Sequence, residues 1–143
     1  MKFLASFLLS LTLSACTLSD EYAADKPEGR EVNFTASQSK AYMRAVPAGT
    51  IMTTPDGMTV YTYDNEAKGS ASCYGSCAED WPPVLAPADA KAFGDLATVK
   101  RIDGTRQWTF QGRPLHLYHD DKSPGDMKGD NKDGLWHVVA NRK

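Results

Sequence analysis

The chain repeats itself at a fixed interval. Gly57, Val60, Tyr63, Trp81 and Val84 recur as Gly112, Leu115, Tyr118, Trp136 and Val139, so that 112 − 57, 118 − 63 and 136 − 81 all equal 55. Five positions matched without a gap are the mark of internal duplication. Two copies are too few for a solenoid. They predict two similar units, about 50–85 and 105–140, packed around a pseudo-twofold axis.

The residues inside each copy read as strands. Thr50 to Thr54, Pro55-Asp56-Gly57, then Met58 to Tyr63 is a strand, a turn and a strand, with Asp-Gly as the hairpin signal. Thr98 to Ile102, Asp103-Gly104-Thr105 and Arg106 to Phe110 form a second such set. Leu115 to Tyr118 and Leu135 to Ala140 are further strands, and Ala86 to Gly94 is the single helical candidate of the repeat region. The predicted fold is mainly β: one small antiparallel domain of two similar repeats, with little helix.

The first residues address the protein. Met1-Lys2 is a positive start, Phe3 to Leu13 is an apolar run, and Leu13-Ser14-Ala15-Cys16 follows. A run that short suits a secretory signal and not a membrane span, which needs about 20 residues. Leu-Ser-Ala-Cys matches a lipobox, so residues 1–15 are expected to be removed and Cys16 to be lipidated. Two or three acyl chains, at about 0.8 kcal/mol per buried methylene, hold a protein on a bilayer where one does not. Thr17, rather than Asp, after the cysteine resembles the pattern of lipoproteins sorted to the outer membrane, facing the periplasm if the host is Gram-negative; a one-membrane host would keep it on the outer face of the cell membrane.

The mature chain would then have 143 − 15 = 128 residues, with 15 basic and 18 acidic side chains and a net charge of −3. No basic excess draws nucleic acid. Residues 16–45 are mostly polar, lack steady periodicity and read as a tether, with a short helix expected within Ser37 to Ala45; the domain is expected over 46–143. Cys73 and Cys77 are the two thiols left beside Cys16, and in an oxidising compartment they are expected to pair.

Gly57 to Tyr63, followed by Cys73-Tyr74-Gly75-Ser76-Cys77 and Trp81-Pro82-Pro83, resembles the bacterial lipoprotein family called "secreted repeat of unknown function". Its signature is Tyr-x-aromatic-x-x-Asp. The second copy is similar through Gly112 to Leu115, Tyr118, Pro124-Gly125-Asp126 and Trp136 to Val139. Two positions depart from the motif: Glu66 stands where the family has Asp, and His116 where it has Tyr, while Tyr118 and Asp121 fit. The resemblance implies export and a repeated β fold; it implies no activity.

Several constellations invite chemistry. On a strand Tyr61 and Tyr63 share one face, with Val60 and Thr62 on the other. His116 and Tyr118 take the same face in the second copy. These residues, with His137, are the candidate ligand-binding set; rings filling the interface between the two units are the structural alternative. Trp81 and Trp136 are expected to anchor the cores of their copies. His116, His119 and His137, with Met127 and Asp126 as possible further ligands, are the candidate metal set, since imidazoles suit copper or zinc; histidines scattered on a surface are the structural alternative. The loop from Asp120 to Gly134 is rich in oxygen ligands for calcium, yet it lacks the order of an EF-hand loop. The four-residue spacing of Cys73 and Cys77 is not the Cys-x-x-Cys of thiol–disulfide enzymes, and Glu79 and Asp80 oppose a reactive thiolate. No nucleophile elbow, phosphate loop or dinucleotide fingerprint occurs. The leading expectation is a membrane-anchored, non-enzymatic binding or structural module of the envelope. A periplasmic copper or redox accessory protein is the second reading, and a thiol–disulfide enzyme the third.

Overall fold

The computed structural model describes residues 28–141. The signal segment, Cys16 and Thr17 lie outside them. In chain order the elements are β1 (Arg30–Glu31), a 3-10 helix (Ala36–Tyr42), β2 (Met43–Val46), β3 (Gly49–Met52), β4 (Tyr61–Tyr63), α1 (Ser76–Asp80), β5 (Val84–Ala86), β6 (Leu96–Lys100), β7 (Arg106–Phe110), β8 (Arg113–Pro114), a 3-10 turn (Lys132–Gly134), β9 (Trp136–Val138) and β10 (Ala140–Asn141). They form three small sheets: β1-β5-β7-β6 with β8 on β7, β10-β3-β2, and β4-β9. All pairings are antiparallel except β1 with β5.

The two copies do not fold beside one another. They exchange strands. The first copy closes on β5, which pairs with the hairpin strand β7 of the second copy, Leu85 opposite Gln107. The second copy closes on β10, which pairs with β3 of the first, Ala140 opposite Ile51. Between these, β4 lies against β9. Its twofold mate is the run 115–118 against 80–84, where Leu117 N donates to Pro82 O at 2.8 Å and Val84 N to Leu115 O at 2.9 Å. On the axis Tyr61 N donates to His116 O at 2.8 Å, and His116 N returns the bond to Tyr61 O at 2.9 Å.

Strand alternation feeds two cores. Val60, Val84, Leu115 and Val139 point to one, with Val32, Phe34, Tyr42 and Trp108. Tyr61, Trp81, Tyr118, Trp136 and Val138 point to the other, with Cys73 and Ala78. Burying such side chains stabilises by about 1.5–3 kcal/mol each.

Three expectations need correction. The first hairpin is thinner than its sequence suggests: β3 and the chain before β4 meet through one bridge, Thr53 with Thr59, because β4 is claimed by β9. Residues 86–94 are not helical. Pro87 and a turn closed by Ala90 N to Pro87 O lead instead to Phe93, whose ring packs on Trp108 at 6.3 Å between centroids. The described residues before 46, expected to belong to a tether, are instead part of the domain. Val32, Phe34 and Tyr42 are buried, and Val32 is fixed on both sides, its N–H donating to Leu85 O and its carbonyl accepting from Trp108 Nε1 at 2.7 Å. The short helix expected there is the 3-10 helix Ala36–Tyr42.

Candidate functional site

Four motif positions meet at the pseudo-twofold axis, and each pairs with a residue of the other copy. Tyr61 of the first copy donates its phenol to Asp121 Oδ2 of the second at 2.6 Å. His116 of the second copy places Nε2 at 2.6 Å from Glu66 Oε2 of the first. The two pairs are images of one another, since 116 − 61 and 121 − 66 both equal 55. Tyr61 and His116 are wholly buried, and Glu66 and Asp121 nearly so.

Buried polar groups are costly unless satisfied, and the loops around this pair of pairs are shaped to satisfy them. Glu66 Oε1 accepts from Ser72 N at 2.8 Å and Cys73 N at 3.2 Å. Asp121 Oδ1 accepts from Lys128 N at 3.0 Å, the position equivalent to Cys73. Tyr61 Oη also accepts from Gly129 N at 3.3 Å. Gly129 has no side chain for a reason of space, because a Cβ there would lie 2.6 Å from the Trp81 ring. His116 Nδ1 sits 3.1 Å from Trp81 O, so both ring nitrogens face acceptors.

The acid–base consequences follow from this geometry. Burial pushes the Glu66 carboxyl upward, but the His116 imidazole and the two amide N–H groups outweigh it and hold Glu66 below the usual carboxylate range. Burial, reinforced by the bond to the Asp121 carboxylate, raises the Tyr61 phenol well above its ordinary value.

A column of rings crosses the same axis. Tyr63 stacks on Trp136 at 4.3 Å, Trp136 on Trp81 at 3.8 Å and 3°, and Trp81 on Tyr118 at 4.4 Å. Each tryptophan therefore covers the tyrosine of the other copy, so the two anchors serve a shared core rather than one each. Cys73 and Cys77 flank this core with their sulfurs at bonding distance and their Cα atoms 5.3 Å apart, Cys77 lying in the helix Ser76–Asp80. The carbonyl of Cys73 accepts from the buried Arg101 guanidinium, which stacks on Tyr74 at 4.2 Å.

The candidate ligand set is thus divided. Tyr61 and His116 are locked inside, Tyr118 is buried in the ring column, and Tyr63 and His137 are half-buried at its edge. The candidate metal set is not brought together. His116 is held by Glu66, His119 by Asp120 at 3.1 Å, and His137 by Asp64 at 2.9 Å, while Met127 packs on the second core. Among the described residues no group of three or more His, Cys, Asp or Glu is placed to hold a metal ion. In the loop proposed for calcium the carboxylates cap backbone: Asp126 accepts from Lys122 N and Ser123 N, and Asp130 from Val138 N. Sequence reading missed the cross-copy pairing of Glu66 and Asp121. Their shared offset of 55 with Tyr61 and His116 was the available signal.

A family model described as a secreted repeat of unknown function matches residues 44–85 and 97–140. The offset grows from 97 − 44 = 53 at the start of the copies to 140 − 85 = 55 at their ends. The opening hairpins differ in their connections, Pro47-Ala48 joining β2 to β3 and the longer run 101–105 joining β6 to β7. No curated protein and no solved structure matches the chain. Among the described residues no helix is long and apolar enough to cross a membrane.

Proposed function

The chain belongs to the family of the secreted repeat of unknown function, and from that premise we propose that it is a lipid-anchored, non-enzymatic module of the bacterial envelope. One observation carries this reading. The polar residues of the family motif are spent on each other: Tyr61 on Asp121 and His116 on Glu66, all buried, all across the two copies. A general acid or a nucleophile must reach a substrate, and these four face one another. Their role is to lock two exchanged halves. The part of the ligand-binding set left for a partner is the edge formed by Tyr63 and His137. Lipid on Cys16 would hold the domain on the outer membrane, facing the periplasm.

Labelling with fatty acid tests the anchor. Label is expected in the envelope fraction of the full chain and absent from Cys16→Ser. An unlabelled, unprocessed precursor in the cytosol would end the reading. Two further measurements test the competing chemistries. Copper bound more tightly than about millimolar would move the protein to the metal-accessory class, which imidazole ligands suit. A Cys73–Cys77 reduction potential above about −300 mV would move it toward thiol–disulfide exchange.

A further inference from the structure

The chain holds asparagine at positions 33, 65, 131 and 141, and Asn33 alone is followed two residues later by a hydroxyl residue. Asn33-Phe34-Thr35 is an N-glycosylation sequon. Glu31 stands two residues ahead of it, which gives the longer acid-x-Asn-x-Thr form that bacterial transfer enzymes accept. The export reading above puts the chain in the compartment where such transfer occurs, and the inference rests on that reading. We propose that Asn33 is a glycosylation acceptor, modified during export from a polyprenyl-pyrophosphate-linked oligosaccharide. The Asn33 amide nitrogen forms the bond to the anomeric carbon of the donor. The carbon–oxygen bond to pyrophosphate breaks, its electron pair leaves with the lipid pyrophosphate, and one amide proton goes to solvent.

The structure supports the acceptor position. The segment runs extended, so that Val32 and Phe34 point into the core while Glu31 and Asn33 are exposed. A surface cleft of about 360 Å³ opens beside Asn33, with Thr35, Pro87, Asp89, Lys91 and Phe93 in its wall. A first sugar has room there without disturbing a core contact.

The folded state also dictates when transfer happens. Once the domain closes, Val32 is fixed by Leu85 and Trp108, Phe34 packs on Tyr42 at 4.7 Å, and the Thr35 hydroxyl is within 3.3 Å of Ser37 Oγ and Gln38 Oε1. The sequon is then too constrained to enter a transferase. Trp108 follows Asn33 by 108 − 33 = 75 residues, and β10 closes the exchange only at residues 140–141. Throughout that interval the sequon is across the membrane and the fold cannot shut.

The test coproduces the full chain, signal included, with a bacterial oligosaccharyltransferase and its lipid-linked oligosaccharide in a Gram-negative host. The envelope fraction is read by intact mass and peptide mapping. Most processed chains are expected to carry one glycan on the Asn33 peptide. Asn33→Gln and Thr35→Ala remove it, and Glu31→Gln lowers its occupancy. Asn33 and Glu31 are exposed, so their variants keep the fold. Processed, folded chain with a bare Asn33 overturns the proposal and leaves the export reading standing. A precursor retained in the cytosol overturns both. Purified folded protein is expected to be modified less than the exported chain, because its sequon backbone is held by Leu85 and Trp108. Equal modification overturns the timing argument.

Discussion

The two locks occupy the same place in two copies, yet they are made of different chemistry. Tyr61–Asp121 joins a phenol to a carboxylate, and His116–Glu66 joins an imidazole to a carboxylate, at the same 2.6 Å. Their supports differ too. Glu66 is fed by amides beside the Cys73–Cys77 bridge, whereas Asp121 is fed by Lys128 N in a loop without a bridge. Geometry at the axis is therefore held while side-chain type drifts. What both pairs retain is one donor, one carboxylate and full burial, because any member left alone would be an unsatisfied buried group.

That comparison can be broken most sharply at Glu66. Glu66→Ala leaves the His116 ring buried without its anion and is expected to cost about 3–5 kcal/mol in denaturant unfolding. The same variant should alter the pH profile. Glu66 is held below its ordinary 4.5 in the fold, so its stabilisation is complete above that value and is lost as pH falls through the folded pKa, by up to about 1.4 kcal/mol per pH unit. Wild type should show this acid limb and Glu66→Ala should not. An unchanged acid limb in the variant would remove Glu66 from the account.

The next effect separates the supports. Replacing Cys73 and Cys77 together by Ala releases a short loop, for which chain entropy predicts about 2 kcal/mol. The His116 ring signals in NMR should shift with it, since Cys73 N holds Glu66. Shifts confined to residues 70–80 would show that the bridge does not support the lock.

Tyr61→Phe is smaller, about 1–2 kcal/mol, because it removes one donor from Asp121 while Lys128 N remains. Its pH signature is opposite in sign to that of Glu66. The Tyr61 pKa is raised in the fold above its ordinary 10.0, so its stabilisation is intact below that value and fades as pH rises beyond it. The variant should lack this alkaline limb. One lock thus yields first to acid and the other to base.

The smallest effect is a control at the edge of the ring column. His137 and Asp64 pair at 2.9 Å with both side chains partly open to solvent, so His137→Ala is expected to change stability by less than about 0.5 kcal/mol. A loss comparable to that of Tyr61→Phe would mean that the edge is part of the lock.

Much of this was legible in the chain. The alternation around Val60 and Tyr61 placed each on its proper face, because a strand has a period of two whatever it pairs with. The tryptophans announced themselves as anchors through size and repetition. Phe93 and the early core residues Val32 and Phe34 were harder. Each is a lone apolar side chain in a polar stretch, and local pattern carries no sign of the distant Trp108 that buries it. The histidines misled for the same reason. Three imidazoles in one third of the chain invited a cluster, but His116 and His137 are each taken by a carboxylate distant in sequence, Glu66 and Asp64, and His119 by its chain neighbour Asp120.

The sequence by itself determined the duplication, the β class and the face that each motif residue takes, because these follow from local periodicity and from the repetition of residue types. Only the tertiary structure decided which copy each strand belongs with in space. Pairing partners are chosen by burial and hydrogen bonding across long loops, and there β5 satisfies β7 while β10 satisfies β3. That exchange is what turned four separate motif positions into two buried pairs.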